Sequence, residues 1–162
     1  MERYLIINAD DYGVCLSANQ AVEHLFNEGF ITSTTLMTPC PWAEEALNRA
    51  KNNQKMRVGL HLTFNAEWHL YKWGPVCRTK PVGSLLDEDG YFYSRVAPLL
   101  QTAQPEDITS EMEAQYDFMA KRGYPPTHAD NHMGSVYGLE GRSFLKEAFA
   151  FCTKHGLNFR LP

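Results

Sequence analysis

The chain has 162 residues, 44% hydrophobic and 21% charged, and 15 Lys and Arg against 19 Asp and Glu give a net charge of −4. That composition excludes a disordered, collagen-like or coiled-coil chain, and the lack of any basic block speaks against a nucleic-acid partner. No apolar run reaches the roughly 18 residues of a membrane span, and the N-terminal apolar stretch is too short for a signal peptide. The expectation is one soluble, cytoplasmic domain, large enough to bury a core without staples. The cysteines Cys15, Cys40, Cys77 and Cys152 form no C-x-x-C pair and read as free, packed thiols of a reducing compartment.

Apolar runs and helical stripes alternate along the chain. Tyr4–Ile7 reads as a buried strand, followed by a polar turn from Asn8 to Gly13. A helix opens at Ser17, with Gln20 three residues on as a capping-box pair, and closes at Gly29. Ser33–Met37 is the second strand, Pro41 starts the second helix, and Arg57–Leu62 is the third strand. A third helix begins near Pro105, Thr127–Ala129 is a short fourth strand, and a fourth helix runs from about Arg142 to His155. Asn158–Leu161 closes the series as a fifth strand. Such alternation means βα units on a parallel sheet. Two architectures remain: a partial (β/α) barrel related to the TIM barrel, or an open doubly wound five-stranded sheet.

Residues 66–104 break the rhythm with an aromatic-rich insertion holding Trp68, Tyr71, Trp73, Tyr91, Phe92 and Tyr93. Asp89-Gly90 between two apolar runs signals a hairpin. Loops of this length inside an α/β domain are usually functional. The aromatics either stack on sugar rings or close a satellite core beneath the loop.

Three segments carry chemistry. Asp10 and Asp11 follow the first strand, His61 lies near the end of the third, and His128 and His132 flank the end of the fourth. Polar residues past the C-terminal ends of parallel strands are where α/β folds build their sites. Two adjacent carboxylates in a turn point different ways, so one falls to a metal and the other is free to take a proton. One carboxylate with His61 and His128 makes a three-ligand metal site with open positions, and the second aspartate serves as general base. By ligand softness the set suits Zn²⁺, Co²⁺ or Ni²⁺. Gly59, two residues before His61, signals close approach of another backbone.

The stretches Ile6-Ile7-Asn8-Ala9-Asp10-Asp11-Tyr12-Gly13, Gly59-Leu60-His61-Leu62-Thr63 and Thr127-His128-Ala129-Asp130-Asn131-His132 resemble the N-terminal motifs of the YdjC-like (ChbG-type) carbohydrate deacetylases. Ser84–Gly90 resembles a further segment of that family. The resemblance implies a (β/α)-barrel-like fold and removal of the N-acetyl group from acetylated sugars of the chito-oligosaccharide type, releasing acetate. It implies a divalent metal, Mg²⁺, held by Asp11, His61 and His128, with Asp10 as catalytic base. Family members are longer and carry a later His-Pro-Gly motif that does not occur here. The chain is therefore expected to be the N-terminal part of such a barrel, with His132 taking the place of the missing general acid.

The other readings are a catalytically deficient sugar- or metal-binding fragment and a metal-dependent phosphoester hydrolase, for which Lys72, Arg78 and Lys80 are candidate phosphate contacts. An unclosed barrel exposes two strand edges, so a homodimer is expected to cover them.

Overall fold

The computed structural model describes residues 2–162. Its five strands are β1 (Asn8–Tyr12), β2 (Ser33–Leu36), β3 (Val58–Leu62), β4 (His128–Asn131) and β5 (Asn158–Phe159). Five α-helices accompany them: α1 (Leu16–Asn27), α2 (Ala43–Asn52), α3 (Val96–Thr102), α4 (Pro105–Ala120) and α5 (Leu145–His155). The strands form one open parallel sheet in the order β1-β2-β3-β4-β5. A doubly wound sheet reverses its order at a switch point. This one never reverses, and right-handed crossovers then put every connecting helix on the same face. The order is that of a stretch of (β/α) barrel wall. No helix among the described residues is long and apolar enough to cross a membrane.

Side-chain alternation sorts the two faces. Toward the helices point Thr34, Leu36, Val58, Leu60, Leu62 and Ala129, all buried, and they pack with Val22, Phe26, Leu47, Ile108, Met112 and Phe151 in one continuous core. Toward the open face point Asn8, Ser33, Thr35, Gly59, His61, His128 and Asp130, a nearly all-polar set. A polar face on a parallel sheet is costly unless its groups satisfy one another. Here they do: Ser33 donates to Asn8 Oδ1 at 2.6 Å, and Thr35 donates to Asp130 Oδ2 at 3.0 Å.

Several sequence expectations shift. Tyr4–Ile7 is not a buried strand: Tyr4, Leu5 and Ile6 are 86%, 76% and 77% exposed, and the first strand is the polar run Asn8–Tyr12 itself. The anticipated turn therefore begins only at Gly13. Gly13 has φ +92°, and a Cβ there would sit 2.9 Å from Leu36 Cδ1. Helix α1 starts one residue earlier than read, at Leu16, and no side chain caps it, so the Ser17/Gln20 box does not form. Buried Asn19 does the joining instead, accepting Gly13 N–H at 2.7 Å and donating to Glu45 at 2.7 Å and to the Trp42 carbonyl at 3.1 Å. The fourth strand lies one residue later at its start and two at its end than expected, and α3 was unanticipated, with Pro98 in its first turn. The hairpin shrinks to a single antiparallel bridge between Leu86 and Phe92, its turn held by Asp87.

The long insertion is anchored on α4. Glu111, fully buried, accepts the backbone N–H of Val76 at 2.8 Å and of Cys77 at 2.9 Å. One turn on, Gln115 clamps Thr63 from both sides, accepting its N–H at 3.0 Å and donating to its carbonyl at 2.7 Å. Its aromatics divide: Trp73 and Phe92 join the core, while Trp68 and Tyr91 remain 43% and 41% exposed. Lys72 pairs with Asp87 at 2.9 Å inside the insertion, and Lys80 pairs with Asp107 of α4 at 3.2 Å.

Candidate functional site

Strand β1 contains a bulge. Ala9 pairs with Thr34 and Tyr12 with Leu36, so Asp10 and Asp11 together oppose the single residue Thr35. Asp11 takes up the extra residue in the left-handed region at φ +62°, a conformation aspartate tolerates better than most side chains. The bulge brings both carboxylates to the open face with different partners, the imidazoles for Asp11 and Arg160 for Asp10. Asp11 Oδ1 lies 3.2 Å from His61 Nε2, and an Asp10 oxygen lies with His61 and Asp130 in a second group whose atoms are all within 4.8 Å.

The first group is Asp11, His61 and His132. Asp11 Oδ1 is also 3.1 Å from His132 Nδ1, so one carboxylate oxygen faces a nitrogen from each ring. The rings meet edge to face, with centroids 5.3 Å apart. Each ring's other nitrogen rests on a carboxylate: His61 Nδ1 on Asp130 Oδ1 at 2.5 Å, His132 Nε2 on Glu67 Oε2 at 2.9 Å. An orienting carboxylate behind each imidazole is the arrangement that fixes metal-binding histidines. Donors each about 2.1 Å from a shared ion lie roughly 3 Å apart, which matches the separations here. The donor set therefore fits a divalent cation.

Electrostatics follow from the same contacts. Burial works against the Asp11 charge, but hydrogen bonds with His132 and His61 outweigh it and hold the carboxyl well below its usual range. Burial likewise opposes a charged His61, yet Asp11 and Asp130 raise its pKa to about 9. His132 is also raised, Asp11 and Glu67 overcoming its burial. Both imidazole shifts share one cause, the carboxylates that face each ring.

His128 does not join this cluster. Its Nδ1 lies 2.9 Å from Thr127 Oγ1 and its Nε2 lies 3.3 Å from Asn8 Oδ1, deeper along the strand. Burial lowers its pKa. The register explains the correction: His61 pairs laterally with Asp130, so His128 stands beside Gly59, and only His132 lies past the strand end. A Cβ at position 59 would fall 2.6 Å from the His128 ring, so Gly59 makes room for an imidazole and not for a backbone. His132, expected as a general acid, sits between Asp11 and Glu67 in a ligand's place.

Four contributing residues escaped sequence reasoning. Asp130 is fully buried and serves His61, Thr35 and Arg160 together. Arg160 extends β5, its N–H donating to the Ala129 carbonyl, and its guanidinium reaches Asp130 at 2.5 Å and both oxygens of Asp10 at 2.7 and 2.8 Å. Asn8 donates to Asp10 at 2.7 Å. Glu67 comes from the start of the insertion. The available signal was alternation: Asp130 and Arg160 each stand two residues beyond an inward-facing position, His128 and Asn158.

An open parallel sheet with an acid–histidine cluster at its strand ends defines an α/β protein with a hydrolase-like candidate metal centre. The chain belongs to the YdjC-like protein family, whose model matches residues 4–162. It is 37% identical over 128 residues to a carbohydrate deacetylase of Clostridium beijerinckii, covering 79% of this chain and 49% of that protein. A carbohydrate deacetylase of Enterococcus faecalis is 32% identical over 157 residues, covering 96% and 57%. A chitooligosaccharide deacetylase of Yersinia enterocolitica is 31% identical over 135 residues, covering 82% and 50%. A crystal structure from Enterococcus faecalis, of a protein named for cellobiose-phosphate cleavage, superposes with a TM-score of 0.85 at 30% identity, covering 96% of this chain and 57% of that one. The chain spans about half the length of the curated relatives it matches.

Proposed function

We propose that the chain carries the metal-binding half of a carbohydrate deacetylase site, acting on N-acetylated sugars of the chito-oligosaccharide type and releasing acetate. The observation that carries this is the single oxygen of Asp11 facing one nitrogen each of His61 and His132, with Asp130 and Glu67 behind the rings. Asp11, His61 and His132 would hold the cation, Mg²⁺ by family resemblance or Zn²⁺, Co²⁺ or Ni²⁺ by the softness of two imidazoles. When bound, such a cation supplies Lewis acidity toward an amide carbonyl and toward water.

The remaining steps belong to the protein. Asp10 accepts the proton of the attacking water, its carboxylate aimed by Arg160 and Asn8. Water adds to the acetamide carbon, the C–N bond breaks, and the amine leaves with that proton while acetate is released. The relatives' names, carbohydrate and chitooligosaccharide deacetylase, support the reaction class. The same reading places the protein in the cytoplasm and pairs it as a homodimer, which sedimentation velocity checks.

The deciding experiment pairs metal stoichiometry with acetate release from N-acetylated chito-oligosaccharides, on wild type, His132→Ala and Asp10→Asn. Near-unit metal in wild type and Asp10→Asn but not in His132→Ala, with acetate released by wild type only, is the expected pattern. Metal without acetate at any loading shifts the reading to a binding fragment, and phosphate release from sugar phosphates shifts it to a phosphoester hydrolase.

A further inference from the structure

We infer that His128 is a positioning residue for Asp10, acting through the side chain of Asn8, and that this link reserves Asp10 Oδ2 as the oxygen that takes the proton; the second clause rests on the deacetylase reading above. Hydrogen-bond direction carries the argument. A carboxylate only accepts, so the 2.7 Å contact between Asn8 and Asp10 Oδ1 comes from the amide nitrogen, Nδ2. The amide oxygen then faces the other way, toward Ser33 Oγ at 2.6 Å and His128 Nε2 at 3.3 Å. An oxygen that accepts from His128 requires the hydrogen on Nε2, which leaves Nδ1 bare to accept from the Thr127 hydroxyl at 2.9 Å. Burial lowers the pKa of this ring, in keeping with a single hydrogen. Its far nitrogen rests on a hydroxyl, whereas those of His61 and His132 rest on carboxylates.

Every hydrogen-bonding position of the Asn8 amide is then filled. Its second N–H goes to Thr35 Oγ1 at 3.2 Å, whose own hydrogen goes to Asp130 Oδ2 at 3.0 Å. Turning the amide over would set its oxygen against the Asp10 carboxylate and its N–H groups against the His128 N–H, so like ends would meet. His128 and Ser33 therefore hold the amide in one sense. The consequence lies at Asp10. Its Oδ1 receives Asn8 at 2.7 Å and Arg160 at 2.7 Å, while its Oδ2 receives Arg160 at 2.8 Å. A carboxylate oxygen has room for about two donors, so Oδ1 is filled and Oδ2 keeps a free lone pair. Gly59 lets the ring stand where this link needs it, since a Cβ there would lie 2.6 Å from the imidazole.

Two independent readouts on the full chain test it, and the first needs no turnover. Nitrogen NMR of wild type is expected to show His128 as the Nε2–H tautomer and the Asn8 side-chain amide protons in slow exchange with water. His128→Leu, which keeps bulk without a donor, should speed that exchange at least about tenfold, and His128→Gln, which returns a donor near Nε2, should slow it again. An Nδ1–H tautomer, or Asn8 exchange indifferent to His128→Leu, overturns the link; the tautomer is read on wild type and so decides even where a variant misfolds. The second readout is acetate release from N-acetylated chito-oligosaccharides. His128→Leu is expected to lower kcat about tenfold with KM within about threefold and metal stoichiometry unchanged, and His128→Gln to recover most of the loss. In an Asn8→Ala background His128→Leu should add little, because the link is already cut. A loss that is the same with or without Asn8, or one that falls on KM, overturns the positioning role. No acetate from wild type overturns the deacetylase reading and the assignment of Oδ2 with it, while the NMR readout still decides the His128–Asn8 link.

Discussion

Asp10 and Asp11 both bring a carboxylate to His61, although neighbours in a regular strand face opposite ways. The bulge at Ala9–Tyr12 makes this possible and gives the pair distinct surroundings, imidazoles for Asp11 and the Arg160 guanidinium for Asp10. Asp11→Asn is therefore expected to lower Zn²⁺ affinity at least about tenfold, while Asp10→Asn changes it by less than about threefold. Equilibrium dialysis with metal analysis reads both. Equal losses would show that the two carboxylates share one role.

Asp130 holds His61 from behind and neutralises Arg160 without itself reaching water. Removing one member of a buried charged set costs about 3 kcal/mol or more, and losing an orienting carboxylate costs about 10- to 100-fold in metal affinity. Asp130→Asn is expected to show both effects, in chemical denaturation and in Zn²⁺ titration. A variant as stable as wild type would remove the network from the account of the fold.

Gly59 and His128 are matched in shape. Gly59→Ala drives a methyl into the imidazole and is expected to cost about 1–3 kcal/mol. His128→Ala relieves the clash, so the double variant should be more stable than the sum of the single changes. His128→Ala alone should leave metal stoichiometry intact, whereas His132→Ala abolishes it. Loss of metal in His128→Ala would return His128 to the ligand set.

Glu111 gives the fold a pH signature. Burial raises its pKa above the ordinary 4.5, against the hydrogen bonds from Val76, Gln115 and Cys77. A carboxyl whose folded pKa is raised contributes stability that is complete below its unfolded value and lost as pH climbs through the folded one. Glu111→Gln removes that dependence. The melting temperature of wild type relative to Glu111→Gln should therefore fall as pH rises above the ordinary 4.5. A constant difference across that range would mean that the carboxyl does not change protonation there.

The helices and the sequential alternation were legible because their apolar faces follow simple periods, as Ile108, Met112, Gln115 and Met119 do on α4. Two of the three strands that build the site were misplaced for one shared reason. Asn8–Tyr12 and His128–Asn131 are polar on the open face, so hydrophobicity pulled attention to Tyr4–Ile7 and to Thr127–Ala129. Setting β4 early made His128 seem its end and hid His132's place past it. Asp11 and His61 were legible as a pair because both lie at strand ends. Arg160 and Glu67 were not, because a single charged residue acquires meaning only from partners 150 and 65 positions away.

Helix α4 holds two things with one face. Gln115 grips Thr63, two residues beyond His61, while Glu111 grips the insertion that carries Glu67 and Trp68. The strand end and the insertion thus share a single cooperative opening unit. Amide exchange at Thr63, Val76 and Cys77 should proceed with one common free energy, and a fluctuation that frees either segment parts His61 from Asp11 and Glu67 from His132 at the same moment.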